Sequence, residues 1–275
     1  MWKYAAVISY DGTGFCGWQS QKGSAAEGDP SIQTTVTTAL RKMTSEEASV
    51  VGSGRTDSGV HALGQVAHFV LKNKEWDPQI LKRGLNSLLP TTIRLLEVKP
   101  VALDFHAQRS AEKKQYSYYF QQGPCAIPHL EAFSWWIQKR LNLDDMNKAL
   151  GSLIGEHDFK PFQASGSKPG PTVRQILEAD VTLQSVGFPG GDLAERYQVG
   201  LVRVRVVGTG FLKQMVRGIA GTLLQVGEER RSPACMREIL ESGRREDVGP
   251  TAPARALWLE RVWYPKQVGL FEGGE

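Results

Sequence analysis

One short stretch constrains this chain more than any other: Gly54-Arg55-Thr56-Asp57-Ser58-Gly59-Val60-His61-Ala62. Glycines at 52, 54, 59 and 64 free the backbone for positive φ and close approach, and no helical period runs through the segment. It therefore reads as a shaped loop between two strands, with an acid held on it two positions after an arginine. Taken alone, Asp57-Ser58-Gly59 also suits an Asx-type turn, in which the carboxylate bonds its own backbone. The rest of the chain has to decide between them.

The flanks alternate strands with helices. Residues 3–10 form a strand closed by the glycine-rich turn Asp11-Gly12-Thr13-Gly14, followed by Phe15, Trp18, Gln19 and Gln21. Ser31 is an N-cap, and Ile32, Val36, Ala39, Leu40 and Met43 fall on one helical face. Residues 48–53 and 65–71 are strands around the Asp57 loop. Asp77-Pro78 opens a helix carrying Ile80, Leu81, Leu85, Leu88 and Leu89, and residues 92–98 are the next strand. The second half has the same order. Its strands are residues 115–121, 173–183 and 197–207, with helices around Met146 to Leu153, from about Phe211 to Val226, and from Ser232-Pro233 to Gly243. Residues 257–264 are the closing strand.

Two strand-helix-strand-strand-helix-strand passes predict an α+β protein of two ferredoxin-like (βαββαβ) lobes, whose antiparallel sheets line a central positively charged cleft. The expected boundaries are 1–104 for the first lobe with the aspartate loop, 105–265 for a second lobe, to which the resemblance named below assigns RNA-binding and dimerisation surfaces, and 266–275 for a tail. The linker covers residues 99–114, and 166–171 and 187–192 are Gly/Pro-rich excursions.

Composition narrows the function classes. With 275 residues and 41% hydrophobic content the chain holds real cores, and 33 Lys+Arg against 29 Asp+Glu suits a nucleic-acid partner. Cysteines 16, 125 and 235 have neither disulfide nor zinc spacing, which implies a reducing compartment. No run approaches a membrane span, and no signal-peptide pattern opens the chain, so the cytoplasm is expected. Histidines 61, 68, 106, 129 and 157 lack metal-ligand spacing, and no nucleotide-binding fingerprint occurs; neither metal nor cofactor is expected.

Two further constellations carry chemistry. Lys113-Lys114-Gln115-Tyr116-Ser117-Tyr118-Tyr119 places cations beside aromatic rings, as RNA requires for phosphates and unstacked bases, though a strand with core tyrosines has the same pattern. Arg217 lies in an otherwise apolar helix. It either snorkels or needs a buried acceptor, and Asp57 is one available. On the residues alone three readings stand: an RNA-acting enzyme, a noncatalytic RNA-binding module, and an aspartic-protease-like hydrolase built on Asp-Ser-Gly. The last needs a second such aspartate sharing a proton.

Taken together, these segments resemble a known family. Asp11-Gly12-Thr13 with Phe15, Gly17, Trp18, Gln19 and Gln21, the Arg-Thr-Asp-Ser-Gly-Val-His-Ala block at 55–62, Leu85-Asn86-Ser87-Leu88-Leu89-Pro90, Phe105-His106-Ala107, Lys114-x-Tyr116-x-Tyr118, His157-Asp158-Phe159, Phe211-Leu212 with Met215-Val216-Arg217, and Ala252-Pro253-Ala254 are similar, in order, to the TruA-type tRNA pseudouridine synthases. Departures are Gln108, where the family usually has Arg, and Ala256, where it has Gly. The first bears on one RNA contact; neither touches a catalytic position.

The resemblance implies conversion of uridine to pseudouridine on the 3′ side of the tRNA anticodon arm, by a homodimer that binds tRNA and not DNA. It further implies Asp57 as the catalytic aspartate, Arg55 as the residue that helps displace the base, Tyr116 as the ring that packs on the uracil, and Arg217 as the partner of the Asp57 carboxylate. Lys114, Arg109, Gln19, His61 and Phe211 join Tyr116 as substrate-binding residues.

Overall fold

The structure, a computed structural model, describes residues 1–19, 30–184 and 199–270. Gln21, Tyr197 and the expected 187–192 excursion lie outside those residues. The architecture is α+β, in two compact units: Met1–Lys114 together with Trp258–Glu275, and Gln115–Leu257.

The first unit runs β1 (Trp2–Tyr10), α1 (Ile32–Thr44), β2 (Val51–Gly52), β3 (His61–Leu71), α2 (Pro78–Leu88) and β4 (Ile93–Val101). Strand β1 lies between β4 and β3, antiparallel to both, with Trp2 opposite Leu71 and Tyr10 opposite Ala62. Its register with β3 shifts between Ile8 and Tyr10, a bulge that re-aims the strand as it enters the Asp11-Gly12 turn. Helix α1 starts where Ser31 Oγ accepts the Thr34 N–H at 3.0 Å and buries Ile32, Val36, Ala39 and Leu40. Helix α2 is capped by Asp77, whose Oδ1 accepts from Gln79 N and Ile80 N.

Two expectations change here. The α2 face is narrower than the sequence suggests: Leu81 and Leu85 are buried, but Ile80 and Leu88 are 48% and 37% exposed. Ile80 sits about 100° around the helix from Leu81, off the line that meets the sheet. The expected strand at 48–53 shrinks to Val51–Gly52, because side-chain bonds replace a ladder before it. Glu46 is buried, and its carboxylate accepts from Lys72 N at 2.6 Å and Asn73 N at 3.3 Å.

The second unit contains most of β5 (Lys113–Gln122), whose first two residues belong to the first unit. It continues with α3 (Pro128–Glu131), β6 (Trp135–Ile137), α4 (Leu143–Gly151), β7 (Gly155–Asp158), β8 (Val173–Gln184), β9 (Gly200–Gly208), α5 (Met215–Gly227) and α6 (Cys235–Ser242). Strand order is β5-β9-β8-β7, with β6 parallel beside β5. Helix α5 buries eleven of its positions, Met215 to Gly227 with few exceptions, and forms the centre of this unit. It begins at Met215 rather than Phe211, because Gln214 takes a left-handed φ of 60° that breaks the helical path. Gly243, at φ 68°, ends α6.

The chain closes with β10 (Leu257–Trp263), which returns to the first unit parallel to β3, Trp258 opposite His61 and Leu259 opposite Ala62. Among the described residues no helix is long and apolar enough to cross a membrane.

Candidate active site

In the first unit the aspartate loop is a main-chain turn braced from three sides. Asp57 O accepts the Val60 N–H at 3.1 Å, and Gly59, at φ 75°, closes the turn. The second brace is the segment after β1. Trp18 N donates to Thr56 O at 3.1 Å, Ser58 Oγ donates to Phe15 O at 3.1 Å, and Gly17 sits at φ 101°. A Cβ on Gly17 would lie 2.5 Å from Thr56 O, and one on Gly12 only 2.1 Å from Val60 O. Both glycines are therefore imposed by the loop they touch. The Trp18 ring fills the space over Gly52, where a Cβ would meet it at 2.5 Å.

The third brace is a set of buried polar side chains. Tyr10 OH and Thr56 Oγ1 are 2.8 Å apart, and burial raises the Tyr10 phenol to about 12. Ser53 Oγ donates to Gln65 Oε1 at 2.6 Å, Gln65 Nε2 to Gly54 O at 3.0 Å, and Lys114 Nζ to Ser53 O at 2.7 Å. Burial pushes the Lys114 amine down to about 8. Sequence reasoning passed over Gln65; its signal was a lone amide in the apolar run of β3.

Asp57 is half-buried and Arg55 exposed on the same loop. His61 is fully buried at the loop's exit, its ring stacked on Trp258 at 4.5 Å. Its Nδ1 lies 3.0 Å from Gly12 N and 3.1 Å from Asp11 Oδ1. The imidazole thus ties the Asp11-Gly12 turn to the start of β3. Gln19 is half-buried directly after Trp18. Arg109 is exposed, its N–H on His106 Nδ1 at 3.3 Å.

The second unit assembles the other candidates. Tyr116 on β5 is 8% exposed and meets Phe211 edge-to-face, ring centres 5.0 Å apart. Arg217, in the first turn of α5, is half-buried and donates from Nε to Ala252 O at 2.7 Å, while Ala252 N donates to Arg217 O at 3.1 Å. Tyr118 OH donates to Pro253 O at 3.0 Å. The Ala252-Pro253-Ala254 segment is thus held by both the β5 and α5 motifs. A Cβ on Gly221 would stand 1.7 Å from Pro250 O, so α5 carries glycine where this segment crosses it. On the sheet, Arg205 is bound to Asp180 at 2.6 Å and to Glu178 at 2.9 Å.

Fold and site define a class: α+β proteins that present a single carboxylate on a main-chain-braced turn, with a basic, aromatic strand and an arginine-bearing helix elsewhere in the chain. Comparison with known proteins supplies the family. The tRNA pseudouridine synthase model matches residues 6–108 and 149–265, and the chain belongs to that family. It is 37% identical over 271 residues to the tRNA pseudouridine synthase A of Bdellovibrio bacteriovorus, covering 97% of this chain and 96% of the relative. It is 39% identical over 266 residues to the protein of that name from Syntrophotalea carbinolica, covering 95% and 96%. For the Lactococcus lactis protein of that name the figures are 36% over 271 residues, covering 98% and 100%.

Proposed function

We propose that this protein modifies uridines on the 3′ side of the tRNA anticodon arm, with Asp57 as its catalytic carboxylate. The coarser statement follows from the family: the chain is an isomerase that converts uridine in tRNA to pseudouridine. The reaction breaks the N1–C1′ bond, turns the detached uracil and joins C5 to C1′, releasing the C5 proton. A carboxylate assists by adding to the sugar or base, or by taking a ribose proton, and is regenerated at the end. The observation that carries the proposal is the loop. Three independent sets of contacts fix the backbone on either side of Asp57, as a catalytic group held to sub-ångström tolerance requires.

The remaining roles rest on the resemblance. Arg55, exposed beside Asp57, suits a cation that holds open the gap left by a displaced base. Tyr116 supplies the ring for the uracil, Arg217 the guanidinium paired with the carboxylate, and Arg109, Gln19 and Phe211 the remaining RNA contacts; the resemblance adds Lys114 and His61, but His61 has no exposed surface and so shapes the loop rather than touching RNA. The same reading takes both units as ferredoxin-like lobes and the active species as a cytoplasmic homodimer, whose second subunit supports the tRNA body.

The test is Asp57→Asn, which keeps the side chain's shape and removes its nucleophilic and basic lone pairs. Tritium at uridine C5 is released only when C5 joins the sugar. The variant is expected to release none from labelled tRNA while binding tRNA as wild type does. Steady release by a preparation shown by mass to be free of deamidated Asp57 overturns the assignment.

A further inference from the structure

We propose that Lys114 is a positioning residue for the Asp57 loop, acting through Ser53 O as the charged end of the buried polar chain that runs through Gln65. The inference rests on the reading of Asp57 as the catalytic carboxylate. It replaces the RNA-contact role that the resemblance gives Lys114.

The geometry separates a strut from a phosphate hook. Lys114 Nζ points inward and donates at 2.7 Å to the carbonyl of Ser53, a residue with no exposed surface. The next residue is glycine, and a Cβ there would come within 3.2 Å of Nζ, so the ammonium occupies a slot that Gly54 leaves open. Gly54 O is itself held by Gln65 Nε2, and Ser53 Oγ by Gln65 Oε1, so one amide side chain and one ammonium bind consecutive peptide units. Thr56 is anchored to Tyr10. Every backbone residue from Ser53 to Asp57 except Arg55 therefore carries a fixed bond of its own or through its side chain, and Arg55 is the exposed one.

The two roles predict different kinetics. A strut acts on the geometry of the reacting complex, so its loss lowers kcat and leaves KM unchanged. A phosphate contact acts on affinity, so its loss raises KM and reduces the slope of log K against log salt by about 0.7–0.9. Lys114→Met is expected to lower the single-turnover rate by about 100-fold, the effect of an ångström-scale misplacement, with tRNA affinity and salt slope as in wild type. Lys114→Arg retains the charge a phosphate needs but is too wide for the Gly54 slot, and is expected to lose about tenfold in rate at unchanged affinity. It also serves should the Met variant not fold.

A wild-type rate in either folded variant, or a reduced salt slope with full rate at saturating tRNA, overturns the proposal. If Asp57→Asn is inactive and the Lys114 variants keep full rate, only the strut falls. If Asp57→Asn turns over, the underlying assignment falls first.

Discussion

Replacing Gly17 by alanine tests whether the loop's position, rather than its sequence, sets the rate. Gly17 has φ 101°, where an L side chain costs roughly 1–2 kcal/mol. Its Cβ would stand 2.5 Å from Thr56 O and 2.9 Å from the carbonyl carbon of Asp57. If nothing moves, overpacking adds roughly 1–3 kcal/mol, for a total of about 2–5 kcal/mol. A domain with a stability of about 5–15 kcal/mol survives that, so the variant should fold. If the loop yields instead, Thr56 O must retreat by roughly an ångström to reach van der Waals distance, carrying Asp57 with it, and a shift of that size costs on the order of 100-fold in rate. Gly14→Ala is the control. Gly14 also has positive φ, 74°, but nothing lies within 4 Å of its Cβ position. Thermal unfolding should show both variants destabilised, Gly17→Ala more so. Tritium release should show only Gly17→Ala slowed, by about 10- to 100-fold. Equal kcat for the two variants would refute the argument that contact from the 12–18 segment positions the carboxylate.

Three further outcomes follow from the same geometry. Tyr116→Phe should hold tRNA as wild type does, whereas Tyr116→Ala, which loses a stacking surface worth roughly 1–3 kcal/mol, should lower kcat/KM by about 10- to 100-fold; equal kcat/KM for Ala and wild type would exclude the ring from the substrate. Arg217→Leu removes a charged donor and leaves buried Ala252 O unsatisfied, so urea unfolding should show a loss of roughly 1.5–3 kcal/mol, and a change under about 0.5 kcal/mol would show the bond to be idle. Burial, with His106 and nearby cations adding to it, lowers His68 from 6.5 to about 4, so the unfolded chain binds the extra proton between those values. Stability should therefore be full above pH about 6.5 and decline as pH falls toward 4, by at most about 3 kcal/mol. His68→Gln should flatten that decline in thermal unfolding followed against pH.

Much of this was legible in the residues, for identifiable reasons. Caps are local, so Ser31 and Asp77 mark the starts of α1 and α2 directly. The loop was legible because glycine has few other reasons to recur so densely around an acid. What the sequence could not convey is which distant groups meet. The spacing puts Met43 on the α1 face, and only the structure shows that it fills the notch at Gly84 on α2, where a Cβ would approach it at 2.4 Å. From the residues Arg217 either snorkels or needs a buried acceptor, and only the structure shows that Ala252 O, thirty-five positions away, accepts from its Nε. The basic residues of β9 show the same limit. Arg205 completes cross-strand pairs with Asp180 and Glu178, a contact that depends on the register of β8 against β9. Register is set by the whole sheet and leaves no local trace.

The parallel pairing of β10 with β3 has a consequence for biosynthesis. The ribosome makes the aspartate loop well before Trp258, which covers the His61 ring at the loop's exit and follows it by 197 positions. Until then β2 pairs with β3 at Ala67 and His68, but the His61–Ala62 end of that edge stays open and the His61 ring uncovered. Pairing of such high sequence separation is slow to form and comes late. A chain stalled or truncated before residue 257 can carry the entire Arg55–Ala62 block and still lack the strand that seats its exit.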